Sequence, residues 1–169
     1  MSVLKTNTIQ TTGGKPLLNS TGSVIQVAHG RDDTTYGTTS TSFQQLTNLS
    51  VSITPTSISN RILINFTTQF YHANGSGIHF SIRRNGTSLV DANTISFYHG
   101  DTTNPDYRMV FGGIQIYDNP ASISLLTYTV FYRSDTGAQV YINRPGNTTY
   151  TSRSGVFGST GLTLMEVIV

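Results

Sequence analysis

The 169-residue chain is polar without being charged: 11% of its side chains are ionic, the formal charge is +2, and 27 Thr, 19 Ser and 12 Asn stand beside 36% apolar residues. That apolar fraction, with nine Tyr and eight Phe, is enough for a core and excludes chain-wide disorder. The absence of Cys excludes disulfide frameworks, thiolate catalysis and Cys-based zinc sites, and the absence of Trp removes the strongest sugar-stacking side chain. A single domain is expected at this length.

Residues 1–22 (MSVLKTNTIQTTGGKPLLNSTG) hold Leu4, Ile9, Leu17 and Leu18 among Gly, Pro, Asn and Thr, with no sustained period. They read as an extended N-terminal arm that needs another surface to lie on. Met1 to Lys5 leads into Thr and Gln rather than an apolar signal stretch, and no window is apolar enough for a membrane helix. The expectation is a soluble chain, with no membrane insertion and no mark for export.

From residue 23 to 169 short apolar alternations recur about every ten residues between Gly, Asn, Pro and Asp, the spacing of an all-β sandwich. Strands are predicted at Ser23–His29, Leu49–Ile53, Arg61–Tyr71, Ile78–Arg83, Thr87–Val90, Thr94–Tyr98, Met109–Tyr117, Leu126–Arg133, Ala138–Asn143 and Leu162–Val169. In Arg61–Tyr71 the residues Ile62, Ile64, Phe66, Thr68 and Phe70 share one face. Asn85-Gly86 predicts a two-residue hairpin, because both central positions need positive φ. Gly112-Gly113 inside a strand predicts a bulge or a close backbone approach. The predicted core comprises Val51, Ile53, Ile62, Ile64, Phe66, Phe70, Ile78, Phe80, Ile82, Ile114, Ile116, Tyr128, Val130, Leu162 and Leu164. The opposite faces then carry Leu63, Phe111, Phe131, Met165, Val167 and Val169, which a monomer would expose, so an oligomer is expected.

Chemistry finds few footholds. His29, His72, His79 and His99 show no metal-ligand spacing, and a metal site would need His72 and His99 to converge or three copies of one His to meet on a trimer axis. No Gly-x-Ser-x-Gly elbow is present. Asp32-Asp33 are sequence neighbours whose side chains diverge on an extended backbone, and Asp101 and Asp106 share one loop; turn-stabilising roles suit them better than paired-carboxylate catalysis. The ten cations are scattered except at Arg83-Arg84, which argues against nucleic-acid binding. The chain is read as a non-enzyme with no cofactor and no resident metal. What remains is recognition by loops at one end of the sandwich, carrying Tyr71, His72, Asn74, Tyr98, His99, Asp101, Asn104 and Tyr107; their planar and hydrogen-bonding groups suit a glycan or a protein ridge.

A run of short phrases adds a resemblance. Leu4 to Gln10, Gly14 to Val27, Thr39 to Phe43, Leu49 to Pro55, Arg61 to Ile64, Ile82 to Thr87, Thr127 to Arg133 and Leu162 to Val167 occur in an order that resembles small virion-surface and tail-fibre proteins of tailed bacteriophages, especially those infecting cyanobacteria. The resemblance covers nearly the whole chain. It implies an antiparallel β-sandwich of jelly-roll type, often a homotrimer, joined through the N-terminal arm to tail, baseplate or capsid proteins. Its distal loops would face a host-surface glycan or protein, and its location would be the virion, assembled in the host cytoplasm. It implies no catalytic residues. Tail fibres commonly carry a shaft that this chain lacks, so a capsid decoration protein stands as the alternative, and a free-standing carbohydrate-binding module as a second.

Overall fold

The computed structural model describes residues 21–73, 76–90, 96–98, 109–146 and 158–169. The arm positions Leu4, Ile9, Leu17 and Leu18, and the loop positions Asn74, His99, Asp101, Asn104 and Tyr107, lie outside them. Among the described residues there is no helix; eleven strands form two antiparallel sheets. They are β1 (Val24–Asp32), β2 (Tyr36–Thr38), β3 (Gln44–Ile53), β4 (Arg61–His72), β5 (Gly77–Arg84), β6 (Thr87–Ser88), β7 (Ser96–Tyr98), β8 (Val110–Asp118), β9 (Leu126–Ser134), β10 (Val140–Ile142) and β11 (Thr160–Val167).

The strand order defines a jelly roll. One edge of β4 is shared by β11, opposite Arg61–Thr67, and β10, opposite Phe70–His72, while β8 takes the other edge. Beyond β11 and β10 lie β1 and β2, so the first sheet is four strands wide. In the second sheet β3 pairs β9, β9 pairs β5, and β6 and β7 share the far edge of β5. From β3 to β9 the chain crosses to the first sheet for β4 and again for β8, with β5, β6 and β7 in succession in the second, and the ladders nest first with last, which is the double Greek key of a jelly roll.

Period-two alternation sorts the side chains. Ile62, Ile64, Phe66 and Phe70 of β4 meet Ile78, Phe80 and Ile82 of β5, Tyr128, Val130 and Tyr132 of β9, and Leu162 and Leu164 of β11 in one core. Phe66 and Phe80 lie 5.2 Å apart between ring centres, and Phe70 and Phe97 5.1 Å. Ile114 and Ile116 pack against this core but remain partly exposed, because β8 pairs only with β4 among the described strands and leaves its inner face incompletely covered. Conversely Leu46, Leu49, Val140 and Ile142 are fully buried beyond the predicted set. The Gly112-Gly113 pair is a close approach and not a bulge: the β4–β8 register runs unbroken, and a Cβ on Gly112 would stand 2.7 Å from the Phe70 ring and 2.9 Å from Phe97.

Polar groups inside the sandwich are tied down. Asn143, at φ 59° and fully buried, donates from Nδ2 to the carbonyls of Asp32 and Thr34 at 3.0 Å, and its Oδ1 accepts from Thr160 Oγ1 at 3.0 Å. This bolts the exit of β10 to the break between β1 and β2. Asp32 serves the turn expected of it, accepting from Thr34 N at 2.8 Å, and also binds the Tyr36 hydroxyl at 2.6 Å. Glu166 is fully buried, and its Oε1 accepts from Thr56 N, Thr56 Oγ1 and Asn60 Nδ2 at 2.7 to 2.8 Å.

Candidate functional site

Strand pairing gives the sandwich two chemically different ends. Val24 opposes Val167, Val167 opposes Arg61, Ile62 opposes Asp118 and Ile53 opposes Leu126, so the entry from the arm, the β3–β4 loop and the β8–β9 loop all lie at one end. Among the described residues, seven of the eight exposed large apolar side chains belong to this end: Val24, Val27, Ile58, Tyr117, Ile123, Leu125 and Val169, at 48 to 63% exposure. The eighth, Phe111, sits at the opposite end of β8. The register also draws Val27, Met165, Leu63 and Tyr117 into one apolar row across the outer face of the first sheet.

The other end gathers part of the expected recognition set. Tyr71 and His72 close β4, and Tyr98 closes β7 opposite Gly77, so these three converge on the end far from the arm. Tyr71 and His72 are only 6 and 7% exposed. The Tyr71 ring stacks on Tyr141 at 5.9 Å, and His72 stacks on Phe70 at 6.1 Å with Nδ1 3.3 Å from the Ala73 carbonyl. Both side chains therefore offer little surface in this conformation.

Residues outside the expected recognition set lie beside them on the outer face of the second sheet. His79 is buried; its Nδ1 lies 2.7 Å from Ser96 Oγ and its Nε2 2.8 Å from Asp135 Oδ1. With the carboxylate holding a proton on Nε2, Nδ1 accepts from the serine hydroxyl. The three groups are those of a hydrolytic triad, but there the serine meets Nε2. Here His79 and Ser96 are direct cross-strand partners, so the register alone accounts for the contact. Farther along this face Arg83 lies over the Phe131 ring at 3.8 Å, and Arg133 lies 5.4 Å from Phe43. No sequence motif marks this group, since its members come from four strands or their margins.

Burial raises the Tyr128 hydroxyl far above its usual range, helped by its 2.7 Å bond to Asp118, and burial pushes Tyr132 up to about 12. Among the described residues no three His, Asp or Glu side chains gather as a metal site.

No family model matches the chain, and no curated protein matches it. Among solved structures it is similar to infectious bursal virus derived T=1 particles (10% identity, TM-score 0.44, 96% of this chain and 41% of that one). It is also similar to the infectious bursal disease virus VP2 subviral particle (9%, 0.42, 87% and 39%) and to infectious bursal disease virus Gx strain (13%, 0.41, 95% and 47%). The chain spans less than half the length of each. Likeness at this level says nothing of role, and the jelly roll rests on the strand order itself.

Proposed function

We propose that the chain is a virion structural protein, a short fibre-like adhesin of a tailed phage that attaches by its N-terminal arm and presents its far end to the host. The observation that carries this reading is the polarity of the sandwich. Among the described residues, apolar side chains crowd the end where the arm enters, while those of the opposite end and of the outer face of the second sheet are polar and aromatic. The ordered phrases shared with phage virion-surface proteins support the same reading.

The arm must gain its order from a partner. Burying Leu4, Ile9, Leu17 and Leu18 is worth roughly 1.5 to 3 kcal/mol each, whereas ordering the backbone costs on the order of 1 to 2 kcal/mol per residue. Backbone pairing with a neighbouring subunit or virion protein supplies the difference by strand addition. Deleting residues 1–22 is expected to leave a folded sandwich, judged by circular dichroism, that no longer enters virions; incorporation at the normal copy number would place attachment on the sandwich instead.

One observation favours a second reading. The described residues after the arm form a single jelly roll with no shaft among them, which suits a capsid decoration protein. Virion density separates the two: tail or vertex placement means a fibre, and icosahedral placement means decoration.

A further inference from the structure

Two guanidinium groups share the Phe43 ring on the outer face of the second sheet, and one of them also covers Phe131. Arg83 Cζ stands 3.8 Å from the ring centre of Phe131 and 5.8 Å from that of Phe43, and Arg133 Cζ stands 5.4 Å from Phe43. Register explains the meeting. Ser81 opposes Phe131 and Arg83 opposes Thr129, so these side chains leave the face opposite to core residues Ile82, Val130 and Tyr132. Phe43 immediately precedes β3, whose Gln45 opposes Phe131.

Two like charges sharing a ring repel, and an arginine pair so placed is ordinarily matched by a carboxylate. Among the described residues none matches this one. Every side-chain carboxylate of the described residues bonds another group: Asp33 with Arg31, Asp118 with Arg84, Asp135 with His79 (the cross-strand neighbour of Arg133), Asp32 with Thr34 and Tyr36, and Glu166 with Thr56 and Asn60. The rings offset part of the repulsion through their faces but accept nothing from the N–H fork. Arg83 Nε is buried with no hydrogen-bond acceptor, and Arg133 Nη1 has only the Ser134 carbonyl at 3.2 Å. Hydroxyl groups flank the pair: Ser88, bonded to Ser81 at 3.1 Å, and Thr129 in the next row.

We propose that this face binds an acidic saccharide, whose carboxylate or sulfate bridges Arg83 and Arg133 while neighbouring Ser and Thr hydroxyls meet its sugar hydroxyls. The proposal rests on the reading of the chain as a host-facing virion protein and names the receptor class. The site spans the face: Phe43 and Arg133 lie toward the end opposite the arm, while Arg83, next to the arm-side terminus of β5, reaches Phe131. A saccharide suits the site better than nucleic acid, which would need a longer track of cations than two arginines on a chain of charge +2.

The test is calorimetric titration of the full chain at low salt with polygalacturonate oligomers, with sulfated dextran oligomers, with neutral dextran and with poly-glutamate. Binding to at least one acidic saccharide and none to neutral dextran is expected; which of the two binds identifies carboxylate or sulfate as the ligand group. Arg83→Gln and Arg133→Gln should each weaken binding about tenfold or more. Arg83→Lys should restore only part of the affinity, because a point charge replaces the fork. Arg61→Gln, which changes net charge equally from the other sheet, should leave affinity unchanged. Thermal melts check the fold, and Arg83→Met, which keeps the stem packing on Phe131, replaces the glutamine variant if that one unfolds. No binding by the native chain, equal loss in Arg61→Gln, or preference for poly-glutamate would overturn the proposal. Because the measurement uses the isolated chain, it stands or fails separately from incorporation into virions.

Discussion

Asp118 shows what single residues contribute to this sandwich. It is buried, accepts two hydrogen bonds from Arg84 Nη1 at 2.6 and 2.7 Å, and takes the Tyr128 hydroxyl at 2.7 Å. The charge is thus paired and hydrogen-bonded, the condition under which burial of a carboxylate is tolerated. Tyr128 and Tyr132 make the fold sensitive to alkali. Burial raises both hydroxyls above the ordinary value of 10.0, Tyr132 to about 12 and Tyr128 farther. Below pH 10 folded and unfolded chains both keep these protons, so they give no slope and their contribution is fully present. Above it the unfolded chain releases protons that the folded chain retains, and stability falls by about 1.4 kcal/mol per pH unit for each such tyrosine. For Tyr132 the loss runs between pH 10 and about 12. Urea midpoints measured from pH 8 to 11 should be flat and then decline, and Tyr128→Phe should decline less steeply. An equal decline in that variant would mean that other tyrosines dominate.

At the level of elements, legibility depended on whether a signal is local. The Asn85-Gly86 hairpin is local: φ is 48° and 85° at the two positions, and Arg84 opposes Thr87 as a two-residue turn requires. A Cβ on Gly86 meets nothing within 4 Å, so its substitution costs backbone strain alone. Gly86→Val should lower stability by roughly 1 to 3 kcal/mol, and Gly86→Asn far less; an equal loss for both in urea unfolding would point to a lost contact instead. The first half of β3 was not legible, because a register shift between Gln45 and Ser50 breaks the alternation ahead of Leu49 and hides Leu46 as a core residue. The three-residue β2 is too short to show a period. Alternation in β5 and β9 places Arg83, Phe131 and Arg133 on one face, but only the pairing of those strands brings them together, and Phe43 joins from another segment. Glu166 is similar: its partners Thr56 and Asn60 lie more than a hundred residues away, so nothing local announces them.

For the whole molecule, the decisive feature is the unequal distribution of exposed apolar side chains. Scattered singly, residues such as Val27 or Leu125 would need no explanation, but seven gathered at one end form the kind of patch that marks an interaction surface. The row Val27, Met165, Leu63 and Tyr117 extends it across four strands, with Tyr117 and Val27 more than half exposed and the inner two half-buried. Among the described residues such a row has apolar contacts within the sheet but none above it, so a second copy laid on this face gains burial without changing the fold. The chain is therefore expected to self-associate, as a trimer if the resemblance to phage surface proteins holds at this level. Sedimentation at micromolar concentration should show an oligomer, and Tyr117→Ser with Val27→Ser should weaken it about tenfold or more, since these two present the most apolar surface of the row. Phe111→Ser removes an equally exposed ring from the far end and should leave association unchanged. If Phe111→Ser dissociates the oligomer and the double variant does not, the contact lies at the far end, and the apolar end is free for the virion.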